Sequence, residues 1–251
     1  MNDIFHSSKL RLSRAKDHII DLEKSIRAFL DTKPYARVIE PDSDGINQLH
    51  KIKFTKSLPD EFAIITADAV DNLRSALDHA WHAIAVASSA IKPTGEAYFP
   101  FADNAAKFKK RLIGCKKFPQ DILALLRRFQ PHKGGDDLLW ALNRICAANK
   151  HRMLAPIGIA VGGMHIRYMT FSGPGSIPMP RWDRAKQEII YAIVGPNGKI
   201  EYNIDITFDV AFDKVEAVGG QPAIAILNAL ASKVEDILKA LEGAARKLGY
   251  V

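Results

Sequence analysis

One amphipathic segment, residues 57–90, constrains the fold of this 251-residue chain more than any other feature. At 100° per residue its apolar side chains fall on one arc, as in a helix that buries one side. These apolar positions are Phe62, Ile65, Ala69, Leu73, Ala76, Leu77, Ala80 and Ile84. Ser57 and Pro59 suit a helix start, and residues 92–95 break the pattern. The sequence therefore predicts one long helix around which the chain is organised.

The opposite arc of this helix has an unusual polar composition. Its members are Asp68, Asp71, Arg74, Ser75, Asp78, His79 and His82. No Lys or Glu occurs between Glu61 and Lys92, although solvated helix faces are usually rich in these long residues. Short carboxylates, a hydroxyl and imidazoles around a single arginine indicate a functional site on this face.

Hydrophobic periodicity along the remaining chain predicts an α+β fold. Helices are expected at about 4–30, 103–113, 119–129, 138–152 and 221–247, and strands at 35–40, 48–55, 157–161, 165–171, 188–194 and 199–212. The Asn197-Gly198 pair favours a tight turn before the last strand. We predict a helical bundle with an inserted β-hairpin, a small antiparallel sheet, and a C-terminal helix that packs against the first or the long helix.

The predicted organisation divides at residue 155. Residues 1–155 would form the helical bundle with its hairpin, and residues 156–251 the sheet and the C-terminal helix. No Gly/Ser-rich linker separates the two parts, so we expect one integrated unit.

Composition narrows the class of protein. A hydrophobic content of 47% and a charged content of 25% are ordinary for a soluble globular protein. We expect no membrane partner and a cytoplasmic location, because no apolar run approaches the ~20 residues of a membrane span, the N-terminus does not read as a secretory signal, and two cysteines form no disulfide framework. The net charge of +7 permits a polyanionic partner such as RNA.

The densest basic region spans residues 107–133 and interleaves Phe108 and Phe118 with lysines and arginines. A nucleic-acid strand could follow such a surface. The alternative is a solvated helical face whose phenylalanines point inward.

Arg74 and His79 form an R-x4-H pattern within the long helix. Here residues 4–152 resemble HEPN-type helical-bundle proteins, many of which are metal-independent ribonucleases. The resemblance implies RNA cleavage without a cofactor at a homodimer interface, with His79 as general acid/base and Arg74 as phosphate clamp. We include Asp78 as a third candidate catalytic residue; the structural alternative is that Asp78 pairs with Arg74 at i,i+4.

The chain also resembles bacterial proteins, of no established activity, that pair an NLRSALDH helix with a later KHR segment. Here these are residues 72–79 and 150–152. The predicted substrate-binding residues are Asn149, Lys150, His151 and Arg152. They would complete a pocket with Asp78 and His79, or their cations would merely complement a helix C-terminus.

A metal site is a weaker alternative. His79 is adjacent to Asp78, and His82 is four residues after Asp78 and three after His79. These side chains could share an ion, with His151 as a distant ligand.

Three functions therefore stay open. The first is an RNA-directed protein, either a metal-independent endoribonuclease or an RNA-binding relative. The others are a non-catalytic interaction module with a structural polar helix face, and a metal-dependent hydrolase.

Overall fold

A computed structural model describes residues 3–43, 45–151, 157–179, 181–213 and 215–251, without the side chains of residues 148–151. Within these ranges the chain has the predicted α+β composition. The helices are α1 (His6–Asp31), α2 (Asp60–Ala87), α3 (Ala105–Gly114), α4 (Gln120–Phe129), α5 (Asp137–His151) and α6 (Ala223–Lys247). The strands are β1 (Tyr35–Pro41), β2 (Gln48–Phe54), β3 (Ile157–Ser172), β4 (Gly175–Ser176), β5 (Trp182–Asp183), β6 (Glu188–Val194) and β7 (Lys199–Phe212).

The helices pack around α2. Its predicted apolar arc is buried, with Leu73, Leu77 and Ile84 at 0% exposure, each burial stabilising the fold by roughly 2 kcal/mol. α1 lies along α2, and α6 packs against both, as predicted for the C-terminal helix. α5 packs on another side of α2. The polar arc of α2 consequently faces neighbouring elements and not only solvent.

The strands form two antiparallel layers. The β1–β2 hairpin is extended by β6, which also pairs with the short strands β4 and β5. β3 and β7 form a separate long ribbon. Apolar side chains of the two layers meet in a second core, for example Ile52, Tyr191 and Phe208.

One detail differs from the sequence pattern, and a second confirms it. β3 continues through Gly162 and Gly163, where two strands were predicted, because register shifts accommodate the irregularity against β7. The tight turn at Asn197 forms, with φ of 59°. It joins β6 to β7, which belong to different layers, so it does not close a hairpin.

Contacts cross the predicted boundary at residue 155. β2 pairs with β6, and α6 shares the main core with α1 and α2. No helix in the described ranges is long and apolar enough to cross a membrane.

Candidate functional site

The polar face of α2 is largely covered by other parts of the fold. Asp68 is exposed, whereas Asp71, Arg74, Ser75, Asp78, His79 and His82 are all half-buried. Short side chains fit such confined spaces, and their chemistry requires hydrogen-bond partners there. The shortage of Lys and Glu on this face thus reflects contact with neighbouring elements.

Arg74 is held by three groups on its side of the helix. Its Nη1 donates to Asn143 Oδ1 on α5. Its Nε lies 3.5 Å from Asp78 Oδ2, and the guanidinium sits 5.1 Å from the centroid of the Phe101 ring. The pairing of Arg74 with Asp78, predicted as the structural alternative, is therefore present.

Asp78 and Asp71 extend this polar network. Asp78 Oδ1 accepts a 2.8 Å hydrogen bond from the Phe99 backbone N–H, which anchors the segment of residues 95–101 to α2. About two turns earlier on the helix, Cys146 Sγ on α5 donates to Asp71 Oδ1 at 2.9 Å. We call these contacts of Arg74, Asp78 and Asp71 the α2–α5 network. It joins α2, α5 and the segment of residues 95–101.

His79 points to a different neighbour. Five residues after Arg74 on an α-helix, it lies about 140° further round the axis. Its Nδ1 is 2.7 Å from Ser7 Oγ on α1. Arg11, also on α1, is exposed and donates to Asn72 Oδ1 at 3.3 Å. The structure therefore brings Arg74 together with Asp78, and His79 together with Ser7.

Burial is the main reason that the pKa of His79 is lowered from its ordinary value, and the positive charge of Arg11 lowers it further. Asp78 opposes this shift without reversing it. His79 is consequently neutral at pH 7, and one ring nitrogen can accept a proton or a hydrogen bond.

A pocket of about 400 Å³ opens beside His79. It is lined on one side by Asp78, His79 and His82 of α2 and on the other by residues 95–98. Tyr98 is 61% exposed, and its hydroxyl donates to Glu96 Oε2 at 3.0 Å. Ser7, Glu96 and Tyr98 could not be connected with α2 from the sequence, because no local spacing links them to it.

The remaining predicted site residues do not add to this geometry. Asn149, Lys150 and His151 have side chains outside the described set, and Arg152 lies outside it altogether, so their role stays a prediction. The metal alternative at Asp78, His79 and His82 gains no support. Among the described residues, no three His, Cys, Asp or Glu side chains are grouped to hold an ion.

A second candidate surface is the basic segment, defined as residues 104–135. It contains nine of the 35 Lys and Arg of the chain and one of its 28 Asp and Glu, namely Asp121. The rest of the chain is therefore close to neutral. The nine cations are Lys107, Lys109, Lys110, Arg111, Lys116, Lys117, Arg127, Arg128 and Lys133, and all are exposed.

Packing holds the aromatic residues of the basic segment inside. Phe118 is 8% exposed and stacks on Trp81 with centroids 4.4 Å apart. Phe108 is 5% exposed and contacts His132. This confirms the alternative that these phenylalanines point inward. Phe129 is half-buried beside Arg128, so the surface offers many cations and no fully exposed ring.

Two of the nine cations have carboxylate partners. Lys107 pairs with Asp103, and Lys133 with Glu216. Within the described ranges the other seven form no ion pair. Arg111, Arg127 and Arg128 lie in the last turns of α3 and α4, where a positive charge interacts favourably with the helix dipole. The helix dipole does not account in this way for the lysines at 109, 110, 116 and 117.

Comparison with protein-family models, curated proteins and solved structures found no match for this chain. The resemblances to HEPN-type proteins and to the NLRSALDH proteins accordingly stay predictions.

Proposed function

We propose that this chain is an RNA-directed protein that binds the phosphate backbone through the basic segment. The observation that carries the proposal is the concentration of the net charge of +7 in residues 104–135. These cations are exposed, and most lack carboxylate partners among the described residues. Such a surface releases counterions when it meets a polyanion, which is the main driving force of sequence-independent binding.

The inward position of Phe108 and Phe118 defines the mode of binding. With Phe108 and Phe118 buried and Phe129 half-buried, the segment does not present the exposed rings on which many single-strand binders stack bases. Contacts from this surface therefore go to phosphates, which position a strand without reading its sequence.

A four-lysine variant tests this role. Lys109→Gln, Lys110→Gln, Lys116→Gln and Lys117→Gln together remove four charges and no core side chain. The matched control removes four exposed lysines elsewhere: Lys56→Gln, Lys92→Gln, Lys199→Gln and Lys247→Gln. Fluorescence anisotropy with labelled single-stranded RNA should show weak binding for the first variant and near wild-type binding for the control. Equal loss in both variants would show that only total charge matters.

The second candidate function is metal-independent RNA cleavage at His79, which the HEPN resemblance implies. The observation that favours it is the 2.7 Å contact between Ser7 Oγ and His79 Nδ1, which fixes a neutral imidazole at the pocket. A neutral imidazole can take a proton from a ribose 2′-hydroxyl. Against it, Arg74 is engaged with Asn143, Asp78 and Phe101, so the expected phosphate clamp is occupied within the chain.

Cleavage of varied RNAs in EDTA tests this candidate. Loss of cleavage in His79→Ala, with retention in His82→Ala, would support it, because both imidazoles line the same pocket. If the wild-type protein leaves every RNA intact, this candidate is wrong and RNA binding without cleavage is the function that stays proposed. The homodimer implied by the same resemblance stays a prediction, and sedimentation equilibrium would test it.

A further inference from the structure

The pocket beside His79 differs in charge from the basic segment. Among the described residues, its lining includes the carboxylates of Asp78 and Glu96 and no lysine or arginine. Asp78 is already paired with Arg74, whereas Glu96 forms no ion pair within the described ranges. A phosphate is disfavoured beside an uncompensated carboxylate. The electrostatics instead favour a neutral or cationic group that presents N–H donors.

Glu96 and Tyr98 supply the two contacts that such a ligand needs. The Tyr98 hydroxyl donates a hydrogen bond to Glu96 Oε2, while Glu96 Oε1 accepts no hydrogen bond in the described part of the chain. A carboxylate offers about four lone-pair positions, so it can accept further hydrogen bonds. Tyr98 lines the same pocket and is 61% exposed. An aromatic face and a carboxylate therefore stand together at one pocket.

The segment that carries both groups is anchored next to them. Phe99 is 2% exposed, and its ring packs against Trp81 and Phe101. Its backbone N–H is held by Asp78 Oδ1. Anchoring at this point reduces the ordering that Tyr98 must undergo when a ligand binds.

We propose that this pocket binds a guanine base of single-stranded RNA, with Tyr98 stacking on the base and Glu96 accepting its two adjacent N–H groups. Single-stranded bases are commonly recognised by stacking on aromatic side chains and by hydrogen bonds to their Watson–Crick edge. Guanine presents N1–H and the N2 amino group side by side. Adenine and cytosine place a ring acceptor beside the amino group, and uracil places carbonyls on both sides of N3–H. Only guanine matches a carboxylate with two donors.

The inference rests on the proposed function for its choice of ligand, and it assigns the two surfaces different tasks. The basic segment holds phosphates of any sequence. The pocket then adds a preference for one base, which the basic segment cannot supply.

Binding of short RNAs tests the pocket. Labelled uridine hexamers that contain a single G, A or C are compared by fluorescence anisotropy. The wild-type protein should bind the G-containing hexamer about tenfold more tightly than the others, the scale of one good bidentate contact. Glu96→Gln should abolish this preference without changing binding of the all-uridine hexamer. Glu61→Gln, an exposed carboxylate at the start of α2, is the matched control and should keep the preference.

Tyr98→Ala tests the stacking contact. It should weaken binding of the G-containing hexamer about tenfold, the scale of one base–aromatic stack. Tyr168→Ala on β3 is the matched control, because Tyr168 is 54% exposed and lies outside the pocket. An equal effect of both variants would overturn the stacking role.

Titration with guanosine, which has no phosphate, separates the two proposals. Guanosine binding that depends on Glu96, in a protein that binds no RNA, would overturn the proposed function and keep the pocket. RNA binding that is indifferent to G and to Glu96→Gln would overturn the pocket and keep the proposed function. Binding of agmatine, a cationic guanidine, without binding of guanosine would also overturn the assignment of the base.

Discussion

Replacement of Arg74 by methionine separates a structural from a catalytic role for this residue. Arg74 is 20% exposed and its partner Asp78 is 18% exposed, so their interaction is only partly screened by solvent. The change removes the hydrogen bond to Asn143, the ion pair with Asp78 and the contact with the Phe101 ring. Methionine keeps most of the side-chain volume, so little cavity is created.

The expected cost follows from these contacts. A hydrogen bond that involves a charged group contributes about 1.5–3 kcal/mol, and loss of the cation also removes the ion pair that Asp78 makes with Arg74. We therefore expect Arg74→Met to lower the free energy of unfolding by about 3 kcal/mol. For a chain of this size that corresponds to a fall in Tm of roughly 6–12 °C.

Urea denaturation followed by circular dichroism measures this change, and a double-mutant cycle with Asp78→Asn isolates the pair. The combined variant should be destabilised by less than the sum of the single variants, because each removes the same interaction. Wild-type stability of Arg74→Met, together with loss of RNA cleavage, would refute the structural assignment and restore Arg74 as a phosphate clamp.

Four further outcomes test the packing. His50 is 5% exposed, and neither of its ring nitrogens has a hydrogen-bond partner among the described residues, so His50→Phe should raise the free energy of unfolding by about 1–2 kcal/mol in urea titration. Burial lowers the pKa of His50. The unfolded chain then binds more protons below about pH 6.5, so stability should fall as the pH drops through that range, and less steeply in His50→Phe. Phe118→Ala, which removes the stack on Trp81, should cost about 3–5 kcal/mol in the same assay. A Cβ at Gly198 would lie 2.6 Å from the backbone oxygen of Pro174, which cannot rotate aside, so Gly198→Ala should loosen the turn between β6 and β7 and raise hydrogen exchange there. Gly158→Ala on β3 has room and should not raise hydrogen exchange.

Local patterns in the sequence were sufficient to predict the helices and some of the contacts on the polar face of α2. The apolar arc of α2 predicted its buried side, because burial on one side of a helix repeats every 3.6 residues. The i,i+4 pair of Arg74 and Asp78 was likewise visible, since both partners lie on one element. Alternation along the strands marked their two faces, but not that β6 pairs with β2 and β7 with β3.

The parts of the pocket that lie outside α2 could not be predicted, because the residues that form them are distant from α2 in the sequence or lie in an irregular segment. Ser7 and His79 are 72 residues apart in the chain, and Glu96 and Tyr98 reach the site through a segment without regular secondary structure. Only tertiary packing brings them together. The spacing of the aromatic run from Tyr98 to Phe101 carries no information about which helix it touches.

The salt dependence of RNA binding measures how many phosphates the basic segment contacts. For single-stranded RNA the logarithm of the binding constant falls with the logarithm of the salt concentration by about 0.7 per phosphate contact. If the basic segment holds the backbone, the slope for the variant with glutamine at residues 109, 110, 116 and 117 should be smaller in magnitude than the wild-type slope by about 3. The control variant with glutamine at residues 56, 92, 199 and 247 should keep the wild-type slope. Identical slopes for the two variants and the wild-type protein would contradict the account.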